Sequence, residues 1–408
     1  MKRYETYKDS GIEWLGEIPN HWMEEKLKHI VSCNDDVLDE TTDPEEIINY
    51  VEISDVDSIN GVNNHTQYRF KEAPSRARRI TKKGDVIVST VRTYLKAIAP
   101  IKEDNLIVST GFAVLRPRKI ESSFVSYALQ NEFFLGEVVS RSTGVSYPAI
   151  NSTDLVEIKI PVPSADEQRI IASYLDDKVG QIDSVIAEKK KMVEDLQNYR
   201  KSVISEAVTR GLNPDVPMKD SGIDKFPQIP SHWNSLKLKY MSTISSGGAL
   251  PSDQLMNDGE YEVYGGNGCM GLTSRYNTEA PAIIIGRVGA LCGNIHLINS
   301  PKWVTDNALV LAIKGDASYE YVAYYLQAYN LNTLNSSNAQ PLITGTKVLN
   351  VQIPIPSLEE QSKIVDYLNN IYFIMDTAIS ELQSQIEDLK SYKSSLITEA
   401  VTGKIDLR

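Results

Sequence analysis

Apolar and polar positions along this chain fall into two regimes, and the pair of regimes occurs twice. After Pro163, apolar residues stand at Leu175, Val179, Ile182, Ile186, Val193, Leu196, Val203 and Ala207. After Pro356 the same spacing gives Leu368, Tyr372, Met375, Ile379, Ile386, Leu389, Leu396 and Ala400. Steps of 3, 4 and 7 place these side chains on one stripe of a helix, the seam of a coiled coil. Ser164 with Glu167, and Ser357 with Glu360, form S-x-x-E capping boxes behind a Pro-x-Pro that cannot be helical. Gly211 and Gly403 stand where C-terminal caps belong, and Gly180 weakens the first helix locally. The spacing predicts a helix from Asp166 to Thr209, about 66 Å at 1.5 Å per residue, and a second one like it. A helix that long with one apolar stripe needs a partner. Its own repeat is at hand, so antiparallel pairing within the chain is expected, with a coiled coil between two chains as the alternative.

The stretches ahead of each helix follow the other regime, short apolar runs bounded by turn residues. VIVSTVR (86 to 92) and IVSTGFAVLRP (107 to 117) predict strands, answered by AIIIGRVG (282 to 289) and WVTDNALVLAI (303 to 313). A short helical stretch follows in each, FVSYALQNEFF (124 to 134) and YVAYYLQAYNL (321 to 331). GVSYPAINSTDL (144 to 155) and SNAQPLITGTKVL (337 to 349) then lead to a last strand before the Pro-x-Pro.

Identities confirm that the chain repeats itself. KDSGIEWLGEIPNHW (8 to 22) and KDSGIDKFPQIPSHW (219 to 233) share nine of fifteen positions. IPVPSADEQRIIASYLD (160 to 176) returns as IPIPSLEEQSKIVDYLN (353 to 369), and YRKSVISEAVT (199 to 209) as YKSSLITEAVT (392 to 402). The first match has an offset of 211 and the others 193, so the second variable block is shorter by 18 residues. Three collinear matches mean internal duplication. The expected architecture is α/β (mixed α+β): two globular domains, 1–163 and 213–356, and two long helices, 164–212 and 357–408, in an antiparallel coiled coil with an internal pseudo-twofold repeat.

The 408 residues, 24% of them charged, suit a folded chain of two or three domains. No apolar run approaches a membrane span of roughly 18 residues, and the N-terminus has no apolar core of a signal peptide. Cys33, Cys269 and Cys292 are too scattered for a disulfide framework or a zinc ribbon, which points to a reducing cytoplasm. A net charge of −12 argues at first against a nucleic-acid partner. Its distribution changes that reading. Residues 34 to 57 hold ten acids and no Lys or Arg, whereas 69 to 119 hold thirteen Lys or Arg against four acids. The segment around Arg76, Arg78, Arg79, Lys82, Lys83, Arg92 and Lys96 is a candidate anion-facing surface. The second long helix, with eight acids against three bases over 359 to 402, is more acidic than the first.

Enzyme motifs do not emerge. GGNGCMG (265 to 271) lacks the GK[ST] of a phosphate loop and reads as a turn cluster. Asp85, Arg92 and Lys96 fix no metal geometry, and five histidines with three distant cysteines form no convincing triad or zinc set. His21 and His232 precede Trp22 and Trp233 in IP-x-HW and are expected to form a structural corner.

The order of features resembles the specificity subunit of a type I restriction–modification system. The likeness covers the whole chain: DSGIEWLGEIPNHW, a variable domain, Gly-x-Ser-x-Pro-x-Ile at 144 to 150, IPVPSADEQRII, a long helix, then the set again. The resemblance implies a non-catalytic subunit whose variable blocks are target recognition domains, each reading half of a bipartite site in double-stranded DNA. It implies that the helices set the half-site spacing and dock two methyltransferase subunits, with restriction subunits as further partners. S-adenosylmethionine, Mg2+ and ATP would then belong to those partners and no cofactor to this chain. SNAQPLI departs from GVSYPAI, so Gly144, Ser146 and Tyr147 have no like counterparts in the second copy.

Phosphate contacts position a reader, and base-edge contacts specify the sequence. For the first domain the basic cluster is the positioning set, and Arg92, Tyr94, Arg141, Ser142 and Tyr147 are the base-reading candidates. For the second, Asn267, Arg275, Arg287, Asn338, Gln340, Thr344 and Lys347 are the polar equivalents. The acidic 34–57 stretch is either a solvated loop or a surface for the methyltransferase subunit. A protein-binding scaffold, with paired domains on a coiled-coil ruler, is the second functional class left open.

Overall fold

The computed structural model describes residues 2–13, 15–57, 61–289, 291–335 and 341–408. They form two compact units, Met1–Lys190 with Gln383–Arg408, and Lys191–Leu382. Each long helix contributes residues to both units, so the boundaries cut the helices instead of setting them apart.

In the first unit an antiparallel sheet runs in the order Ile98–Pro100, Val86–Ser89, Phe112–Pro117, Val31–Cys33. Its central strand is buried on both faces, which is why VIV reads as a continuous apolar run and does not alternate. Val86 and Val88 face a core shared with Phe124 and Leu129 of the helix Ser122–Gln130. Ile87 faces another core, with Val51 and Val108 of a second sheet. That sheet runs Thr66–Arg69, Ile47–Val51, Leu106–Ser109, Ala77–Ile80, and its two middle strands are parallel.

The segment 107 to 117, read above as one strand, is two strands in different sheets. Both are apolar, so the pattern runs through the turn between them. At Gly111, in that turn, an added Cβ would lie 2.7 Å from Ile53 Cδ1.

The second unit repeats the plan. Its antiparallel sheet runs Ser242–Ser246, Ala308–Ile313, Ala282–Gly286, Ile295–Ile298, the same order read from the other edge. A three-stranded sheet follows: Gly268–Thr273, Tyr261–Gly265 and Trp303–Val304, again with one parallel pair. The segment 303 to 313 is likewise divided. No strand among the described residues of this smaller copy answers Ala77–Ile80, and a single antiparallel bridge, Thr278 with Lys302, stands beside Trp303–Val304 instead.

The long helices span Ala165–Arg210 and Leu358–Val401. Within the first unit, Val179, Ile182 and Ile186 share a core with Ile386, Leu396 and Ala400. Lys393 Nζ donates to Asp183 at 2.7 and 2.9 Å, and Lys189 Nζ to Gln385 at 2.6 Å, so numbers fall on one helix as they rise on the other. Within the second unit, Val203 and Ala207 share a core with Ile364 and Leu368, and Arg200 pairs with Asp376 at 2.6 Å while stacking on Tyr372. The apolar stripe is thus covered inside the chain, antiparallel as expected.

Each helix start is bolted to its domain by the Glu-Gln of the capping segment. His21 Nε2 lies 2.9 Å from Glu167 Oε1, and His232 Nε2 lies 2.8 Å from Glu360 Oε1. Gln168 accepts from Glu121 N at 2.8 Å and donates to Pro163 O at 2.9 Å. Gln361 does the same with Ser318 N and Pro356 O, at 2.9 and 3.0 Å. Buried amides that satisfy both a donor and an acceptor explain why Gln stands there in both copies. At the helix ends Gly403 (φ +71°) packs on Pro19 and Trp22, and Gly211 (φ +76°) on Pro230 and Trp233.

Candidate nucleic-acid interface

In the first unit the chain leaves the central strand at Ser89 and makes a turn, Thr93–Leu95, flanked by Arg92 and Lys96 in left-handed backbone. A second loop, 141 to 150, packs against it. Val91 and Ala149 form an antiparallel bridge, Ile150 N donates to Thr90 O at 2.9 Å, and Thr93 Oγ1 donates to Ser142 Oγ at 2.7 Å. Ile150 is buried beneath and roots the loop. Residues some fifty positions apart therefore meet on one rim. Tyr94, Leu95, Val145 and Tyr147 project from it, and the Arg92 guanidinium lies 5.0 Å over the Tyr147 ring. Arg76 reaches the same end through Thr110, whose N–H donates to Arg76 O at 2.8 Å.

The second unit makes the corresponding junction. Val288 and Leu342 form the bridge, Ile343 N donates to Arg287 O at 2.9 Å, and Ile343 is fully buried. Pro148 with Ile150 and Pro341 with Ile343 hold equivalent places despite the divergence around them. The GGNGCMG turn joins two strands of a hairpin, as its composition suggested, and abuts this junction. Asn267 accepts from Asn294 Nδ2 at 3.3 Å there, and His296 is half-buried beside Tyr264. Burial lowers the His296 pKa, which favours a neutral ring.

Residues 19–195 and 230–388 match the sequence model of the type I restriction modification DNA specificity domain. The chain belongs to that family. It is 24% identical to the type I restriction enzyme StySPI specificity subunit of Salmonella potsdam over 320 residues, covering 71% of this chain and 67% of that protein. It is 25% identical over 444 aligned residues to the putative type I restriction enzyme MjaX specificity subunit of Methanocaldococcus jannaschii, covering 97% and 96%. Its fold is shared with a solved chain from work on complex assembly and conformational transition of the type I R-M system. That likeness has a TM-score of 0.73 at 24% identity, covering 95% of this chain and 99% of the other.

Seen as a specificity-family domain, the first unit divides the predicted basic cluster. Arg76, Arg92, Tyr94, Lys96, Arg141, Ser142 and Tyr147 gather at the loop junction. Lys82 and Lys83 lie at the opposite end of their strand: Lys82 pairs with Asp36 at 3.0 Å, and Lys83 lines a cleft with Lys102 and Tyr127. Arg78 is stacked on Phe70 at 5.0 Å. Arg79 turns inward beside Cys33, and loss of solvation lowers its pKa. Strand alternation is the reason, since neighbouring side chains point to opposite faces. Arg79, Lys82 and Lys83 therefore do not share one anion-facing surface with Arg92.

Three of the ten acids in the 34–57 stretch pair with the basic segment of their own domain: Asp36 with Arg116 and Lys82, Asp35 with Arg118, Glu45 with Arg69 and Lys71. Hydrogen bonds from Arg116 and then Lys82 hold the Asp36 carboxyl below the usual range.

In the second unit Asn267 and Arg287 come together, and Arg287 Nη1 donates to Ser246 Oγ at 3.3 Å. Thr344 caps the short helix Gly345–Leu349, and Lys347 Nζ donates to Leu334 O at 2.8 Å, so both are engaged in local structure. Arg275 stands at the other end of the hairpin, bonded to Gln254 and stacked on Trp303. Asn338 and Gln340 lie outside the described residues. Leu95, Val145, Asn294 and His296 were not anticipated. An exposed leucine between two cations was the legible signal for the first of them. No helix among the described residues is long and apolar enough to cross a membrane.

Proposed function

We propose that this chain is the DNA-sequence-reading subunit of a type I restriction–modification complex, each unit reading one half of a bipartite duplex site. The observation that carries this reading is the repeated junction of two loops. One backbone plan, rooted by Ile150 and Ile343, presents Arg92, Tyr94 and Tyr147 in one unit and Arg287, Asn267 and Asn294 in the other. A constant scaffold with exchanged surface side chains suits two readers of different sequences. Because each long helix belongs to both units, the helices serve as the ruler between half-sites, and their outer faces dock two methyltransferase subunits. Catalysis, with S-adenosylmethionine, Mg2+ and ATP, resides on those subunits and on restriction subunits where present, in the cytoplasm. A net charge of −12 fits a reader whose grip on phosphate comes largely from partners.

Co-expression with a methyltransferase subunit of a type I system from the same genome, followed by methylome sequencing, tests this. One bipartite motif should carry N6-methyladenine and lose it when this chain is deleted. A motif that survives deletion would refute the reading.

A further inference from the structure

The turn after the central strand is built twice on one backbone plan. In the first unit Ser89 N donates to Ala97 O at 2.8 Å and Leu95 N to Arg92 O at 2.9 Å. In the second, Gly286 N donates to Asn294 O at 2.9 Å and Cys292 N to Gly289 O at 3.0 Å. These four residue pairs share an offset of 197, which matches Arg92 to Gly289 and Lys96 to Gly293. All four matched residues have left-handed backbone, with φ of +52° and +51° in the first unit and +82° and +90° in the second.

Such backbone suits glycine and strains any residue carrying a Cβ. The second unit meets the requirement with glycine at both positions. The first unit instead keeps two exposed cations there, against the local preference. A Cβ at Gly289 would meet nothing within 4 Å, so the position opens to solvent and packing gives no reason for a side chain. Arg92 makes no ion pair among the described residues, unlike Arg141, which is tied to Glu137 at 2.6 Å. A strained backbone holding an unpaired cation is explained by what the side chain meets outside the protein.

The Tyr147 ring, 5.0 Å from the Arg92 guanidinium, holds that group at the rim, and no ion pair among the described residues occupies its N–H donors. A planar fork with no acceptor matches the O6 and N7 acceptors of guanine in the major groove. We infer that Arg92 reads a guanine in the half-site of the first unit, and that the glycine-bearing turn of the second unit makes no such contact. This inference rests on the DNA-reading function proposed above and adds an asymmetry between the two half-sites.

The test uses the full chain in complex with its methyltransferase subunit, selecting from a library of randomised duplexes. Arg92→Gly and Arg92→Lys are compared with the native chain, and melting temperatures are measured alongside. Arg92→Gly should melt at or above the native temperature because strain is relieved. Both variants should lose preference for guanine at one position of one half-site, by about 5- to 150-fold, with other positions unchanged. A motif unchanged by Arg92→Gly, an equal loss at every position, or a lowered melting temperature would each overturn the assignment. If the native complex selects no bipartite motif, the function itself falls, a result distinct from these.

Discussion

The Arg116–Asp85 pair offers the sharpest test of how the first unit holds its reading loops. Asp85 opens the central strand whose far end carries Arg92, and its side chain is 2% exposed, that of Arg116 13%. Arg116 Nε and Nη2 each donate to Asp85 at 2.9 Å, and Nη1 donates to Asp36 at 2.7 Å. Arg116→Leu leaves the Asp85 carboxylate buried with one described donor, Lys82 N at 2.8 Å. Breaking a buried pair from one side costs about 3–5 kcal/mol, because a charge is stranded away from water. For a unit of roughly 200 residues, 1 kcal/mol moves the melting temperature by about 2–4 °C, so a drop of about 6–20 °C is expected. Asp85→Asn in the same chain removes the charge and keeps an acceptor for Lys82 N–H; the double variant should recover at least half of the loss. Thermal melts give the size, and hydrogen exchange at Val86–Ser89 locates the change in the first unit. A double variant as unstable as Arg116→Leu alone would refute the stranded-charge account.

The helix-start clamps should fail in acid. Burial pushes the Glu167 and Glu360 carboxyls up, but hydrogen bonds overcome it, those of His21 and Ser164 for Glu167 and those of His232 and Trp233 for Glu360. Both therefore lie below the ordinary value of 4.5. A carboxyl depressed on folding stabilises the protein above its unfolded value, and the benefit disappears as pH falls through the folded one. Denaturant midpoints should fall as pH drops below about 4.5, and Glu167→Gln should flatten part of that slope; parallel curves for native and variant would count against the clamp. Alanine at Gly403 and at Gly211 should each cost about 1 kcal/mol for the left-handed backbone. Gly403→Ala should cost about 1–3 kcal/mol more, since its Cβ overlaps Pro19 Cδ while that of Gly211 would lie 3.1 Å from Trp233. Equal urea midpoints for the two variants would contradict this packing.

Periodicity and repetition determined the long helices, their capping segments and the doubled α/β plan, because these follow from spacing over many residues, whereas the choice of antiparallel pairing within the chain over pairing between chains came from the cross-helix contacts. Short-range pattern also placed the central strands, whose burial on both faces shows as unbroken apolar runs. It could not divide 107–117 between two sheets, since both pieces are apolar and the turn at Gly111 is set by contact with Ile53. Residue type alone grouped Arg76 to Lys96 as one basic surface, yet strand direction sends Arg79 inward and Lys82 to the far end beside Asp36. Charge segregation along the chain misled for the same reason, because the acids at 35, 36 and 45 pair with bases of the segment 69 to 119. Only the tertiary structure brought Arg92 under the reach of Tyr147 and matched it to Gly289. Those relations depend on loops meeting across the fold and on the sign of φ, and neither is written in local pattern.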